Sequence, residues 1–135
     1  MFTGIPHTEL DSVWQEVLPW IESACRRTNG RYLASDIYRS LQLRETQLWA
    51  YRNGGIEAVC VTEIIKYPRK KYCRILIGTG RNRQNWQHHV LDIEQWAWAQ
   101  ECDGMESFAR IGWWRAFYRT LTGWKFTHEY IEKEF

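Results

Sequence analysis

Apolar residues recur every three or four positions between residues 8 and 28, at Leu10, Val13, Trp14, Val17, Leu18, Ile21, Ala24 and Cys25. That spacing predicts an amphipathic helix, because residues three and four apart share one helical face. Thr8 with Asp11 three positions on supplies a start signal, and Asn29-Gly30 supplies a stop. Pro19 falls inside the stripe. A proline removes one intrahelical hydrogen bond and crowds the preceding turn, so the pattern predicts a kink or two short helices. A second helix is predicted over about 33–43, starting near Ser35 and turning Ile37, Tyr38 and Leu41 inward.

The period then changes from 3.6 to 2. Residues 47–52 read as a strand, Asn53-Gly54-Gly55 as a tight turn and 56–67 as the returning strand. Pro68-Arg69-Lys70-Lys71 turns the chain into a third strand at 72–77, completing an antiparallel meander. Gly78-Thr79-Gly80 stops that strand. A long helix follows over about 85–102, with Trp86, Val90, Ile93 and Ala97 on one face and Leu91 and Trp98 widening it. So broad an apolar face predicts burial against a sheet. A short strand at 106–111, a helix at 113–121 and a final strand at 124–132 complete the order ααβββαβαβ. The fold class is therefore mixed α/β, of the α+β kind: one domain over residues 1–135, with a mostly antiparallel sheet flanked by helices.

Composition narrows this picture without changing it. The chain has 135 residues, enough to close one core without staples, and its 44% hydrophobic and 25% charged content is that of a globular protein. No apolar run approaches the ~20 residues that cross a bilayer, and the N-terminus has no basic segment followed by an apolar one. These features predict a cytoplasmic protein. Cys25, Cys60, Cys73 and Cys102 lie far apart with no C-x-x-C, and read as reduced core thiols. His88 and Asp92 stand one helical turn apart, but two ligands do not make a metal site. The net charge of +2 gives no argument for nucleic acid, and the basic groups Arg69-Lys70-Lys71 and Arg81 with Arg83 flank one strand at opposite ends as separate patches. Nine tryptophans in one small domain are unusual, and read as core filling or as a partner surface.

Two stretches carry a resemblance. Arg115-Ala116-Phe117-Tyr118-Arg119-Thr120-Leu121-Thr122-Gly123-Trp124 looks like the A-x-x-F-Y-x-x-x-G-F segment of the GCN5-related N-acetyltransferases (GNATs), with one extra residue before the glycine. The predicted element order matches the fold of that family without its first strand. The whole chain also resembles a narrower group of short GNAT-like proteins encoded by tailed bacteriophages. Gln47-Leu48-Trp49, Val61-Thr62-Glu63-Ile64, Ile93-Glu94-Gln95-Trp96-Ala97 and Gly112-Trp113-Trp114-Arg115 carry that likeness.

The resemblance implies acyl transfer from acetyl-CoA to an amine. It also implies a cofactor site at Ile77, Gly78, Thr79, Gly80, Arg81, Arg83 and Gln84, where the family has an R/Q-x-x-G-x-G/A loop that cradles a pyrophosphate. Here the glycines are kept and two arginines added, but the spacing differs. A plain strand-to-helix turn explains the same residues. Glu63 and Tyr118 match the positions of a general base and of the acid that protonates the leaving thiolate. An ion-paired strand residue and a core aromatic are the alternatives. A protein that keeps the fold and acts by binding a phage or host protein, in the particle or during its assembly, is the rival to an enzyme, and nucleic-acid binding through the basic turns is a weaker third reading; any of these could form an oligomer.

Overall fold

The computed structural model describes all residues from Met1 to Phe135. Five strands form one sheet in the order β1-β2-β3-β4-β5: β1 is Phe2–Ile5, β2 Thr46–Asn53, β3 Gly55–Lys66, β4 Lys71–Gly80 and β5 Gly104–Ser107. The first four pair antiparallel in sequence order, and β5 joins β4 in parallel. Helices α1 (Leu10–Cys25) and α2 (Ala34–Gln42) precede β2; α3 (Arg83–Trp86) and α4 (Val90–Ala99) connect β4 to β5, and α5 (Ile111–Ala116) follows.

The strands alternate their side chains between two faces, and each face has its own core. On one, Val17 and Ile21 of α1 and Ile37 and Leu41 of α2 pack on Leu48, Val59, Val61 and Ile77. On the other, the predicted Trp86/Val90/Ile93/Ala97 face packs on Trp49, Ala58, Cys60 and Cys73. Both meander hairpins form as expected, the first through Gly54 at φ 78°, a conformation in which a side chain is strained. At the second, the Tyr67 amide donates to the Lys70 carbonyl at 2.8 Å.

β4 runs on through Gly78–Gly80, which were expected to stop it, and the elements expected at 106–111 and 113–121 are the shorter Gly104–Ser107 and Ile111–Ala116. Four further details depart from the sequence reading, each for a local reason. The chain does have a first strand: Phe2–Ile5 pairs with Leu48–Tyr51, although only Phe2 of its four residues is buried. So short an edge strand carries almost no alternation to read. Helix α1 runs unbroken through Pro19. Pro19 and Gln15, whose carbonyl loses its partner, are both exposed, so water can take the freed acceptor. The helix expected over 85–102 is divided, with α3 and a 3-10 turn at Gln87–His89 ahead of α4. Finally, residues 124–132 form no strand. Their aromatic alternation serves ring packing instead, Phe126 against Trp114 at 6.1 Å and Tyr130 against Phe108 at 6.2 Å.

Candidate active site in the parting of two strands

Register decides where a cleft opens. β5 pairs with β4 only from Tyr72↔Gly104 to Ile75↔Ser107, and the Lys71 and Asp103 amides fasten the start of this pair by bonding to Asp103 and Lys71. Beyond Ser107 the chain turns away into α5, while β4 continues five residues to Gly80. The β5-facing backbone edge of Leu76–Gly80 therefore has no strand partner, and unpaired strand edges accept extended ligands. A bulge sharpens the parting: Val61 faces Ile77 and Thr62 faces Ile75, leaving Leu76 as the extra residue. A bulge raises local twist and re-aims side chains. Accordingly Ile75 joins the α4-side core while Leu76 and Ile77 both join the α1 side. The gap holds a cavity of about 780 Å³ that reaches both faces of the sheet, from Trp86 and Ile93 on one to Thr28 and Tyr32 on the other.

Tyr118 stands on the wall of this cavity, 7% exposed, with its ring 4.6 Å from that of Trp124 and 4.9 Å from that of Phe117. Its hydroxyl donates to Ser107 Oγ at 3.0 Å, at the point where β5 leaves the sheet. Burial pushes the phenol well above its ordinary value, so it stays protonated through the neutral range.

Glu63 sits elsewhere. It lies on β3 opposite Arg74 and does not line the cavity; its carboxylate accepts from Arg74 at 3.5 Å. Arg74 does line it, bonded also to Glu106 at 3.1 Å and stacked over the Phe108 ring at 4.7 Å. Glu63 thus touches the cleft only through a guanidinium.

The cofactor candidates divide in two. Ile77, Gly78 and Thr79 line the cavity, and nothing fills the space beside Gly78, where an added Cβ would come no closer than 3.9 Å to Ile75. Gly80 faces a crowded wall: a Cβ there would lie 2.8 Å from the Trp86 ring and 2.9 Å from the Glu57 carbonyl. Past it, the Arg81 amide bonds to the Glu57 carbonyl at 2.8 Å, its guanidinium stacks on Trp20 at 5.0 Å, and Asn82 takes a left-handed φ of 54°. Arg83 and Gln84 are exposed. The Glu57 carboxylate accepts from Asn85 Nδ2 at 3.0 and 3.3 Å, which holds it below the usual carboxylate range. The strand edge leaves backbone amides and carbonyls without a strand partner, and the loop past it holds two arginines with one ionised carboxylate beneath them.

Three contributors escaped the sequence reading. Ser107 has no motif around it. Arg31 and the C-terminal residues 126–132 meet only because the tail returns across the cavity mouth, where Arg31 pairs with Glu132 and bonds to the Tyr130 hydroxyl at 3.1 Å. Nothing in local spacing could join residues about a hundred positions apart.

No protein-family model and no curated protein sequence matches the chain. Solved structures do match. One is a probable acetyltransferase, with a TM-score of 0.74 at 10% identity over 100% of this chain and 97% of that one. A GNAT family acetyltransferase from Staphylococcus aureus subsp. aureus USA300_TCH1516 gives 0.64 at 10% identity over 100% and 98%. The ribosomal-protein-alanine N-acetyltransferase of Brucella melitensis biovar Abortus 2308 gives 0.65 at 10% identity over 99% of each chain.

Proposed function

We propose that this chain, which has the GNAT fold in a mixed α+β domain with a mostly antiparallel five-stranded sheet, uses its cleft for acyl transfer, as an acyl-CoA-dependent N-acyltransferase acting on the amine of a small molecule or protein. The observation that carries this reading is the open cavity at the parting of β4 and β5, with a buried proton donor, Tyr118, on its wall. The free edge of Ile77, Gly78 and Thr79 is where the amides of a pantetheine arm would be held, and Gly80, Arg81, Arg83 and Gln84 are the residues for its pyrophosphate. When bound, acetyl-CoA supplies a thioester open to attack by an amine.

The chain's own residues then have separate tasks. Tyr118 turns its single proton from Ser107 Oγ to the leaving sulfur, and the Ser107 hydroxyl then donates its own proton to the Tyr118 oxygen and keeps it in place. A phenol raised this far is a reluctant acid, so it assists as a hydrogen-bond donor at least as much as by full proton transfer. Glu63 acts at a remove, by fixing Arg74 at the cleft. Trp86, Val90 and Ile93 close one side with apolar surface and keep water off. The likeness of several motifs to short phage-encoded proteins supports a site of action in the cytoplasm of an infected bacterium.

Calorimetry with acetyl-CoA tests the reading, together with release of free thiol in the presence of a panel of amines. A ligand at ~100 times its dissociation constant stabilises by about 2.7 kcal/mol, which a melting experiment also detects. Absence of binding at millimolar acetyl-CoA would favour a second reading, a GNAT-fold protein that binds a phage or host protein, in the virion or during assembly, without chemistry. The specific support for that alternative is the Glu57 carboxylate beneath the loop, which opposes an anion there.

A further inference from the structure

The charges around the cavity are unevenly distributed. Four arginines line it, Arg27, Arg31, Arg74 and Arg110, and two glutamates, Glu129 and Glu132. Both glutamates belong to the C-terminal tail, and the rest of the lining contains no carboxylate. Glu132 is seated on Arg31 and accepts a further bond from Asn29 Nδ2 at 3.2 Å, which draws its carboxyl below the usual range, chiefly through the Arg31 bond. The tail has no regular secondary structure, and the groups that hold it are exposed: the Arg31–Glu132 pair is 43% and 31% exposed, and Tyr130 is 66% exposed beside it. Exposed ion pairs of this kind hold weakly. The cleft therefore has a carboxylate at its mouth that is loosely attached to a binding group, and lifting it leaves arginines only.

We propose that Arg31 and Asn29 form the carboxylate-recognition site for the acceptor, which is an amine that also carries a carboxylate, and that Glu132 occupies this site until the acceptor displaces it. Arg27 and Arg110, which have no ion-pair partner, strengthen the field at the same mouth. Tyr130 leaves with the tail, while Phe108, 6.2 Å from it, stays at the cavity, so the vacated site keeps an aromatic wall. The inference rests on the acyltransferase reading for the word acceptor, but its test uses no acyl donor and so can fail or succeed independently of that reading.

The probes are L-phenylalanine and L-phenylalanine amide, which differ at the carboxylate and keep the amine. Binding is measured by calorimetry to the full chain, and tail release by the rate of tryptic cleavage after Lys125. The wild type should bind phenylalanine in preference to its amide, with faster cleavage when the acid is present. A site that is open only part of the time binds with an affinity reduced by that fraction. Glu132→Gln should therefore bind phenylalanine roughly two- to five-fold more tightly, as expected from removing a weak competitor, and should be cleaved rapidly without ligand. Arg31→Gln should lose the preference for acid over amide. Both substitutions are at exposed positions, and Arg31→Lys provides a second, charge-retaining variant that should keep part of the preference. The proposal fails if no form of the protein binds phenylalanine, if acid and amide bind the wild type equally, or if Glu132→Gln binds no more tightly. An unchanged preference in Arg31→Gln would overturn it as well. If these tests succeed while acetyl-CoA does not bind, the carboxylate site stands and acyl transfer falls.

Discussion

Tyr118 is the residue on which the proposed acyl transfer turns, and its surroundings define what its loss should do. Replacing it by Phe removes one hydroxyl whose partner, Ser107 Oγ, is itself partly accessible, so stability should fall by no more than about 1 kcal/mol. Turnover should fall by roughly 10²–10⁴-fold if the hydroxyl assists the leaving group. Thiol release measured beside a urea melt checks both; equal activity in the two proteins removes Tyr118 from the mechanism. Sequence made this residue visible because a short segment around it resembles a family motif. Glu63 was visible on the same grounds, yet its ion pair with Arg74 was not, because which charges meet across a hairpin depends on register, and that is set here by the turn between Lys66 and Lys71. Ser107 and Arg31 illustrate the limit more sharply: a serine at a strand end and one arginine in a loop acquire meaning only when the third dimension brings Tyr118 and Glu132 to them.

At the scale of elements, β4 has two glycines with opposite reasons. An Ala at position 80 would drive its Cβ into the Trp86 ring and the backbone of Glu57, neither of which can move freely, so Gly80→Ala should destabilise by about 1–3 kcal/mol. Gly78→Ala meets only Ile75 at 3.9 Å and should change stability by less than about 0.5 kcal/mol. Because Gly78 faces the cavity, that second variant should instead weaken acetyl-CoA, if the cofactor lies along this edge. Denaturant midpoints and calorimetry on the pair separate the two effects; similar stability losses in both would mean that the crowding at Gly80 relaxes. The meander itself was legible, since alternation and turn residues agree over 47–77. What was not legible was the end of the sheet. The tail alternates aromatic with polar residues as a strand would, but it pairs with no strand, and the free outer edge of β5 that it would need spans only four residues. Periodicity reports which side chains seek burial, and cannot say whether backbone or rings will satisfy them.

The molecule as a whole is a sheet with a separate core on each face, and the α4-side core carries three of the four thiols, Cys60, Cys73 and Cys102. All four cysteines are buried and free. This gives the protein a predictable weakness at high pH. Burial raises every one of these thiols, Cys73 from an ordinary 9.0 up to about 12, and it raises the Tyr118 phenol in the same direction. Between the ordinary thiol value and the raised one, the unfolded chain gives up protons that the native chain retains. The native state then binds more protons than the unfolded one, so stability must fall as pH rises through that window, by at most about 1.4 kcal/mol per pH unit for each group. Below about pH 8 the same groups are protonated in both states, and their contribution is constant. Melting temperatures should therefore be flat with respect to these groups from pH 7 to about 8.5, then decline between pH 9 and 11. Cys73→Ala should be less stable at neutral pH through the cavity it leaves, but should show a shallower alkaline decline. A chromogenic thiol reagent at neutral pH should find the native thiols slow and the urea-unfolded ones fast. If all four react at once in the native protein, or if the melting temperature holds through pH 11, the thiols are not sealed in the two cores, and the packing of α4 on the sheet would have to be reconsidered together with the cleft that it walls.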